Sequence, residues 1–183
     1  MRTLAAAALA GLALVPSAGG SGGEWGALYR PLALPQIAPG TPCPVSKVDR
    51  SVDFARFRMG PGIGPGPAYP VGMLVSVLPI APPENFESRN WGGQKVLWVV
   101  HPRYRGPVLI RGRRLDGPDL VRFERGDVPP AELRIERTTS DGVTDPGRGR
   151  PSFTRLRRPG CYGYQIDGTT FSRVIVFRAV GNI

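Results

Sequence analysis

The stretch that decides the fold is Pro159-Gly-Cys-Tyr-Gly-Tyr-Gln-Ile-Asp-Gly-Thr-Thr-Phe-Ser-Arg-Val-Ile-Val-Phe-Arg-Ala179. Large apolar side chains from Tyr162 to Ile166 alternate with small or polar ones, which is the two-residue period of a β-strand. Asp167-Gly168 favours a short hairpin turn, because both residues accept the positive φ that it needs. The β-branched run Val174–Phe177 indicates a strand with little exposed surface. The stretch therefore predicts a β-hairpin that closes a β-sandwich.

Upstream of the hairpin, short apolar or alternating runs predict several further strands. The run Val96–Val100 is apolar on both faces, which indicates a central strand. In Ala131–Arg137 the alternation is clean, with Leu133 and Ile135 facing inward. The Gly-, Asp- and Arg-rich residues 138–151 are predicted to form a loop. The predicted strands are Val71–Ile80, Val96–Val100, one around Val108–Ile110, Leu120–Glu124, Ala131–Arg137 and one that begins at Phe153–Leu156.

The number and spacing of these strands set the fold class. About seven or eight short strands with turn signals between them, and no amphipathic helix of useful length, predict an all-β sandwich or barrel. The segment Pro159-Gly-Cys-Tyr-Gly-Tyr164 resembles the penultimate strand of immunoglobulin-like and fibronectin-III-like domains. This resemblance implies a single antiparallel β-sandwich over residues 48–183 and implies nothing about activity. Cys43 and Trp98 do not fit antibody spacing, so the resemblance concerns the sandwich and not the antibody family.

The first residues predict export. Arg2 precedes the apolar run Leu4–Val15, and small residues follow it, which is the layout of a secretory signal peptide. The run is shorter than the roughly 20 residues that a membrane-spanning helix needs. We therefore expect a cleaved signal helix over residues 1–20, no transmembrane anchor, and a location that is secreted or otherwise extracytoplasmic, at the cell envelope.

Residues 21–47 form a proline-rich segment that is predicted to be extended, because proline removes amide donors and fixes φ. Whether its apolar residues dock on the core or lie loose is left open by the sequence. The chain has two cysteines, Cys43 in this segment and Cys161 in the hairpin. An even cysteine count in an exported chain favours a disulfide between them, with two buried free thiols as the alternative.

The charge balance is strongly basic, with a formal net charge of +10 that comes almost wholly from arginine, since Lys47 and Lys95 are the only lysines. Two interpretations remain open: a surface for an anionic partner, or the amino-acid usage of a GC-rich coding sequence. Arginine forks suit phosphate and carboxylate groups. The candidate anion-binding residues are Arg103, Arg105, Arg111 and Arg113 in one cluster, and Arg148, Arg150, Arg155, Arg157 and Arg158 in the other.

No catalytic motif stands out. His101 is the only histidine and lies at a strand end before Pro102, where a surface or packing role is expected. The glycine- and proline-rich residues 60–67 lack the helix and amides of a phosphate loop. The acidic loop Asp141–Asp145 matches no calcium motif. We expect neither a metal site nor a cofactor, and we assign no catalytic residue.

The sequence therefore favours a non-catalytic binding or interaction module of the cell envelope, with no ligand specified. The open partners are an anionic polymer of the envelope and another envelope protein, while export argues against nucleic acid. Two alternatives remain: a hydrolase that uses carboxylates in a surface groove, and a binder of anionic polymers through the arginine clusters. A concave site with converging polar groups would distinguish among these possibilities.

Overall fold

A computed structural model describes residues 23–55, 59–73, 76–138 and 148–181. The described chain is all-β, as predicted, and no helix in these ranges is long and apolar enough to span a bilayer. Two short 3-10 helices occur at Gly26–Leu28 and Pro83–Phe86. The strands are β1 (Ala68–Val71), β2 (Val77–Pro79), β3 (Gly92–Val100), β4 (Val108–Arg114), β5 (Arg122–Phe123), β6 (Glu132–Ile135), β7 (Arg148–Leu156), β8 (Gly160–Gly168) and β9 (Ser172–Val180).

These strands form two sheets. The first has four strands in the order β1-β3-β7-β5, and the second has five in the order β2-β9-β8-β4-β6. All neighbours are antiparallel except β2 and β9, which pair in parallel. The predicted central position of the strand over Val96–Val100 is confirmed, because β3 lies between β1 and β7. The predicted interior position of the last strand is also confirmed, because β9 lies between β2 and β8.

The two sheets bury their facing apolar side chains against each other in a sandwich-like arrangement. Trp98 of β3 meets Tyr164 of β8 edge-on, with ring centroids 5.1 Å apart. Tyr164 also stacks on Phe177 of β9 at 4.5 Å, and its hydroxyl is hydrogen-bonded to that of Thr154 on β7 at 2.6 Å. This hydrogen bond satisfies a polar group in a site that water does not reach. The predicted inward side chains Leu133 and Ile135 are likewise buried in the core.

The predicted single strand over Val71–Ile80 is wrong. The chain leaves the four-stranded sheet after β1 and enters the five-stranded sheet at β2. Gly72 and Ser76 have φ values of 87° and 62°, and a strand cannot continue through positive φ. The apolar pattern runs through this crossing because Met73, Leu78 and Ile80 all pack in the core between the sheets, so the pattern alone did not reveal the break.

The predicted turn at Asp167-Gly168 is also wrong. Asp167 pairs with Ser172, and the Gly168 N–H donates to Phe171 O at 2.9 Å, so Thr169 and Thr170 form the hairpin loop. Asp167 is fully buried and belongs to the strand. Its carboxylate has partners on the outer face of the sheet, and these contacts outweigh the turn preference of the Asp-Gly pair.

The predicted loop over 138–151 is wrong in its last four residues. Arg148–Pro151 are part of β7 and pair with Leu97–Val100 of β3. The length of β3 on the neighbouring side provides the pairing partners, which overrides the weak strand propensity of Gly149 and Pro151. Two further predictions, the signal helix over 1–20 and the absence of a calcium site at Asp141–Asp145, lie outside the described residues.

The proline-rich segment docks on the outer face of the five-stranded sheet. We call residues 25–46 the strap. Leu28 and Leu34 of the strap are buried, and Leu34 packs with Leu115, Cys161 and Val176. A Cβ atom at Gly163 would lie only 3.1 Å from the Leu34 side chain, so a glycine on β8 permits this close approach. The sequence left open whether this segment docks or lies loose, and in the structure it docks.

Side chains of the sheet also bind the backbone of the strap. The buried Gln165 amide accepts a hydrogen bond from Ala33 N–H at 2.6 Å and donates one to Pro31 O at 3.0 Å. Arg113 donates to Leu34 O at 2.8 Å. These hydrogen bonds satisfy backbone carbonyl and N–H groups of a segment that forms no β-ladder.

A buried carboxylate lies at the centre of this contact. Asp167 accepts hydrogen bonds from Arg111 at 2.9 Å, Gln165 at 2.9 Å and Ser172 at 2.6 Å, and it forms an ion pair with Arg30 of the strap at 3.3 Å. Its side chain is 0% exposed. A buried charge is tolerated when it is paired and hydrogen-bonded, which is the arrangement here.

The predicted disulfide between Cys43 and Cys161 is confirmed. Their Cα atoms are 5.4 Å apart, within the usual range for a disulfide. The bond joins the strap to β8 across a sequence separation of 118 residues. A cross-link that closes a loop of this length is expected to stabilise the fold by up to about 4.7 kcal/mol in the chain-entropy model.

We predict that Asp167→Ala lowers the free energy of unfolding by about 3 kcal/mol, because it leaves the Arg111 guanidinium buried without its partner. Urea unfolding of the oxidised protein measures the change. Glu132→Ala is the matched control, since it removes a partly exposed carboxylate paired with Arg134 and should cost under about 1 kcal/mol. Equal losses in the two variants would contradict the central role of the buried carboxylate.

Candidate functional site

A polar pocket of about 520 Å³ opens at one end of the two sheets. We call it the end pocket. Four parts of the chain form it: residues 49–52 after the strap, the turn Pro65–Pro67, Tyr69 of β1, and the residues that follow β3. Arg173 at the start of β9 completes its rim. Polar groups that converge in a concave site are the usual mark of a ligand-binding site.

The floor of the end pocket is an aspartate bound to a buried tyrosine. Tyr69 donates its hydroxyl to Asp49 Oδ2 at 3.0 Å, and the Ser51 N–H donates to Asp49 Oδ1 at 2.8 Å. A Cβ atom at Gly66 would clash with the Tyr69 hydroxyl, so a glycine is required where the turn passes over the ring. The chain therefore fixes the orientation of this carboxylate from both sides.

The electrostatics of this pair have clear causes. Partial burial by itself would raise the pKa of Asp49, but the hydrogen bonds from Ser51 and Tyr69 and the nearby His101 outweigh burial and lower the pKa. Burial, together with the hydrogen bond to Asp49 and the charge of that carboxylate, raises the pKa of Tyr69 to about 12. At neutral pH the pair is therefore an ionised carboxylate that accepts a hydrogen bond from a neutral phenol.

His101 lies in the wall of the end pocket. Its backbone N–H donates to Pro67 O at 2.7 Å, and its Nδ1 accepts the Arg103 N–H at 3.1 Å. Because Nδ1 is an acceptor, the neutral ring carries its proton on Nε2 and can donate it to a ligand. The sequence predicted a surface or packing residue here, and the ring is in fact half-buried among polar groups.

Two exposed arginines supply positive charge at the rim. Arg103 follows His101, and Arg173 projects from the opposite hairpin, 70 residues later in the sequence. Guanidinium groups bind carboxylate and phosphate oxygens with charge-assisted hydrogen bonds. The end pocket thus combines a cationic rim with hydroxyl, imidazole and carboxylate groups, which suits a ligand that carries both an anionic group and hydroxyls.

Five of the nine predicted anion-binding arginines support the fold instead of facing solvent together. Arg155 is fully buried and donates to the carbonyl groups of Trp91, Gly92 and Glu124. The others bind the strap, a neighbouring carbonyl or a carboxylate. Arg111 donates to Arg30 O and Asp167, Arg113 to Leu34 O, Arg148 to Gly106 O, and Arg150 to the Glu124 carboxylate.

The remaining four predicted arginines are exposed and fall into two separate places. Arg103 and Arg105 follow β3, and Arg103 lines the end pocket. Arg157 and Arg158 follow β7 and line a small depression of about 300 Å³ with Asn90. Arg157 stacks on Trp91 at 4.5 Å, and Arg158 lies 4.0 Å from Asp119. The anion-binding role of the nine residues stays a prediction.

A second depression, of about 390 Å³, is lined by acidic residues of the kind a carboxylate-dependent hydrolase would use. Of its three glutamates, Glu124 pairs with Arg150 at 2.7 Å and Glu132 with Arg134 at 2.7 Å. A glycosidase needs two carboxyl groups that flank the scissile glycosidic bond of the substrate. Each of these two carboxylates instead faces a guanidinium, and Glu132 also accepts the Tyr29 hydroxyl at 2.6 Å.

The sequence did not identify the end pocket as a unit. Asp49, Tyr69, His101 and Arg173 are separated by 20 to 72 residues and share no local motif. The sequence singled out two members, His101 as a surface or packing residue and Arg103 as a candidate anion-binding residue, without placing them in one site. The nearest local signal for this pocket is a single histidine at a strand end that is followed by a basic residue. This signal is weak, because such positions are common on protein surfaces.

Comparisons with protein-family models, with curated proteins and with solved structures gave no match to this chain. The geometry of the end pocket and of the sheet faces is therefore the basis for assigning a function.

We predict that Tyr69→Phe raises the pKa of Asp49, because the carboxylate loses a hydrogen bond that favours its charged form. Carboxyl carbon NMR across a pH titration measures it directly, and Tyr104→Phe is the control that should leave Asp49 unchanged. A depressed carboxyl pKa contributes stability above the unfolded value of roughly 3.9, and this is lost as pH falls through the folded pKa. An unchanged Asp49 titration in Tyr69→Phe would contradict the coupling.

Proposed function

We propose that the protein is an exported, non-catalytic binding module of the cell envelope with an immunoglobulin-like β-sandwich fold, and that it binds an anionic envelope polymer. The observation that carries the proposal is the convergence of Asp49, Tyr69, His101, Arg103 and Arg173 in the end pocket. Such a module needs a fixed polar site and no reacting group, and Asp49, Tyr69 and His101 are each held by a hydrogen bond to a neighbouring residue.

Two features support the immunoglobulin-like part of the proposal. A four-stranded sheet lies against a sheet built on β4, β8 and β9, which corresponds to the arrangement of four strands against strands C, F and G. Tyr162 near the start of β8 donates its hydroxyl to Arg158 O at 2.8 Å. A tyrosine in this position, bonded back to the preceding corner, recurs in sandwiches of this type.

Export is supported by two independent features. Residues 2–20 have the charge, apolar run and small residues of a secretory signal. The disulfide between Cys43 and Cys161 is a bond that persists in oxidising compartments and is rare in the cytosol.

The chemistry of the end pocket favours an acidic sugar unit over a simple ion. Arg103 and Arg173 suit the carboxylate or phosphate of such a unit, and Asp49 and His101 suit its hydroxyls. Val52 and the proline side chains of the turn offer apolar walls for the ring. The formal net charge of +10 raises the local concentration of a polyanion around the protein.

The test is binding to polygalacturonate, with neutral dextran as the polymer control. We expect Arg103→Ser/Arg173→Ser to weaken binding by about tenfold or more, because two charge-assisted contacts are lost. Isothermal titration calorimetry at fixed salt measures the affinity.

The matched protein control is Arg157→Ser/Arg158→Ser, which removes the same charge from another exposed site and should weaken binding by less than about threefold. Equal weakening by the two double variants would show that binding depends on overall charge, and it would reject the end pocket as the site. Tight binding of neutral dextran would reject the anionic class of ligand.

A further inference from the structure

The outer face of the five-stranded sheet has the properties of a peptide-recognition surface. Its polar side chains, Gln165 and Asp167, are 1% and 0% exposed, and their partners include the strap. Without the strap these groups would lose protein partners and face solvent. The face is therefore complementary to an extended peptide, which is what its side chains bind in this structure.

The contacts define what this face binds. Backbone groups of residues 30–34 are held by three side chains: Arg111 donates to Arg30 O at 2.5 Å, Gln165 binds both Pro31 O and Ala33 N–H, and Arg113 donates to Leu34 O. Prolines at 31 and 35 keep the segment extended and reduce its conformational freedom before docking. The backbone contacts give affinity for any extended segment of this shape.

Two side chains of the strap give the contact its specificity. The Arg30 guanidinium donates to Phe171 O at 2.7 Å and to Gly168 O at 2.9 Å, and it pairs with Asp167. Leu34, four residues later, fills an apolar site formed by Leu115, Cys161 and Val176. The recognised pattern is thus an arginine followed by proline, with a leucine four residues after the arginine and a second proline behind it.

A single covalent bond closes this arrangement, and it lies in an open cavity. Cys43 and Cys161 both line a pocket of about 640 Å³. Cys43 is the more exposed of the two, since Cys161 is 3% exposed. Because Cys43 is the more exposed residue and lines the cavity, its sulfur is the one that we expect the thiolate of a dithiol oxidoreductase to attack in thiol–disulfide exchange.

We propose that the outer face of the five-stranded sheet is a recognition surface for an extended Arg-Pro-x-x-Leu-Pro peptide of a partner protein, that the strap occupies it in cis, and that reduction of Cys43–Cys161 opens it. The incoming thiolate bonds to the Cys43 sulfur, the disulfide breaks, and Cys161 leaves as a thiolate that takes up a proton. A second thiolate of the reductant then displaces Cys43, which leaves two thiols in the protein and a disulfide in the reductant.

The test uses the full mature chain and a fluorescent peptide with the sequence of residues 28–37. Fluorescence anisotropy measures binding to oxidised wild type, to Cys43→Ser/Cys161→Ser, and to Cys43→Ser/Cys161→Ser/Arg30→Ala, whose own strap is weakened. The tethered strap competes at a high effective concentration, so we expect affinity to rise by tenfold or more from each protein to the next.

Specificity controls accompany this series. A peptide carrying Arg30→Ala should bind the triple variant at least tenfold more weakly, and adding Gln165→Leu to the triple variant should weaken binding of the unaltered peptide similarly. Adding Arg157→Ser/Arg158→Ser instead, which changes exposed residues away from this face, should leave the affinity unchanged. Failure of the peptide to bind the triple variant would overturn the proposal, as would equal binding of both peptides.

Hydrogen exchange of reduced wild type gives a second measurement that needs no substitution. We expect the amides of Ala33, Ile37 and Ser46 to exchange at least tenfold faster after reduction, while those of β8 and β9 stay protected. Unchanged protection in the strap would show that reduction does not open the face. Loss of protection in β8 and β9 as well would show that the face does not exist without its strap, and either result would overturn the proposal.

Discussion

The buried carboxylate of Asp167 is the constraint on which the arrangement of this protein depends. It joins β8 to β4 through Arg111, to β9 through Ser172, and to the strap through Arg30. A carboxylate that is 0% exposed is stabilised by these donors. The hairpin, its neighbouring strand and a segment more than 130 residues away are therefore coupled by one charged group.

The two faces of strand β8 have different structural roles. Its inward residues, Tyr162, Tyr164 and Ile166, belong to the core between the sheets, where Tyr164 contacts both Trp98 and Phe177. Its outward residues from Cys161 to Asp167 hold the strap by a disulfide, a close contact and hydrogen bonds. The two-residue period of a strand allows one sequence to build the core and to bind a peptide segment at the same time.

The arginines illustrate how tertiary structure changes the meaning of a sequence pattern. In the sequence they form two basic clusters that suggest an anionic partner. In the structure four of the nine donate to backbone carbonyl oxygens, as Arg155 does to Trp91 O and Arg148 to Gly106 O. A guanidinium has five donors in a fixed fork, so it can satisfy several carbonyls where no β-ladder is available. Clustering along the chain does not reveal this use, because the acceptors come from distant residues.

Alternation and β-branched runs act locally, so they were enough to predict the all-β class, the closing hairpin and the interior positions of β3 and β9, and the even cysteine count favoured the Cys43–Cys161 bond. The crossing between sheets after Gly72, the position of Asp167 within β8 and the docking of the strap arise only when the sheets pack. The end pocket, where Asp49, Tyr69, His101 and Arg173 meet, also forms only then. These features depend on which distant groups come together when the sheets pack, and no local pattern encodes that.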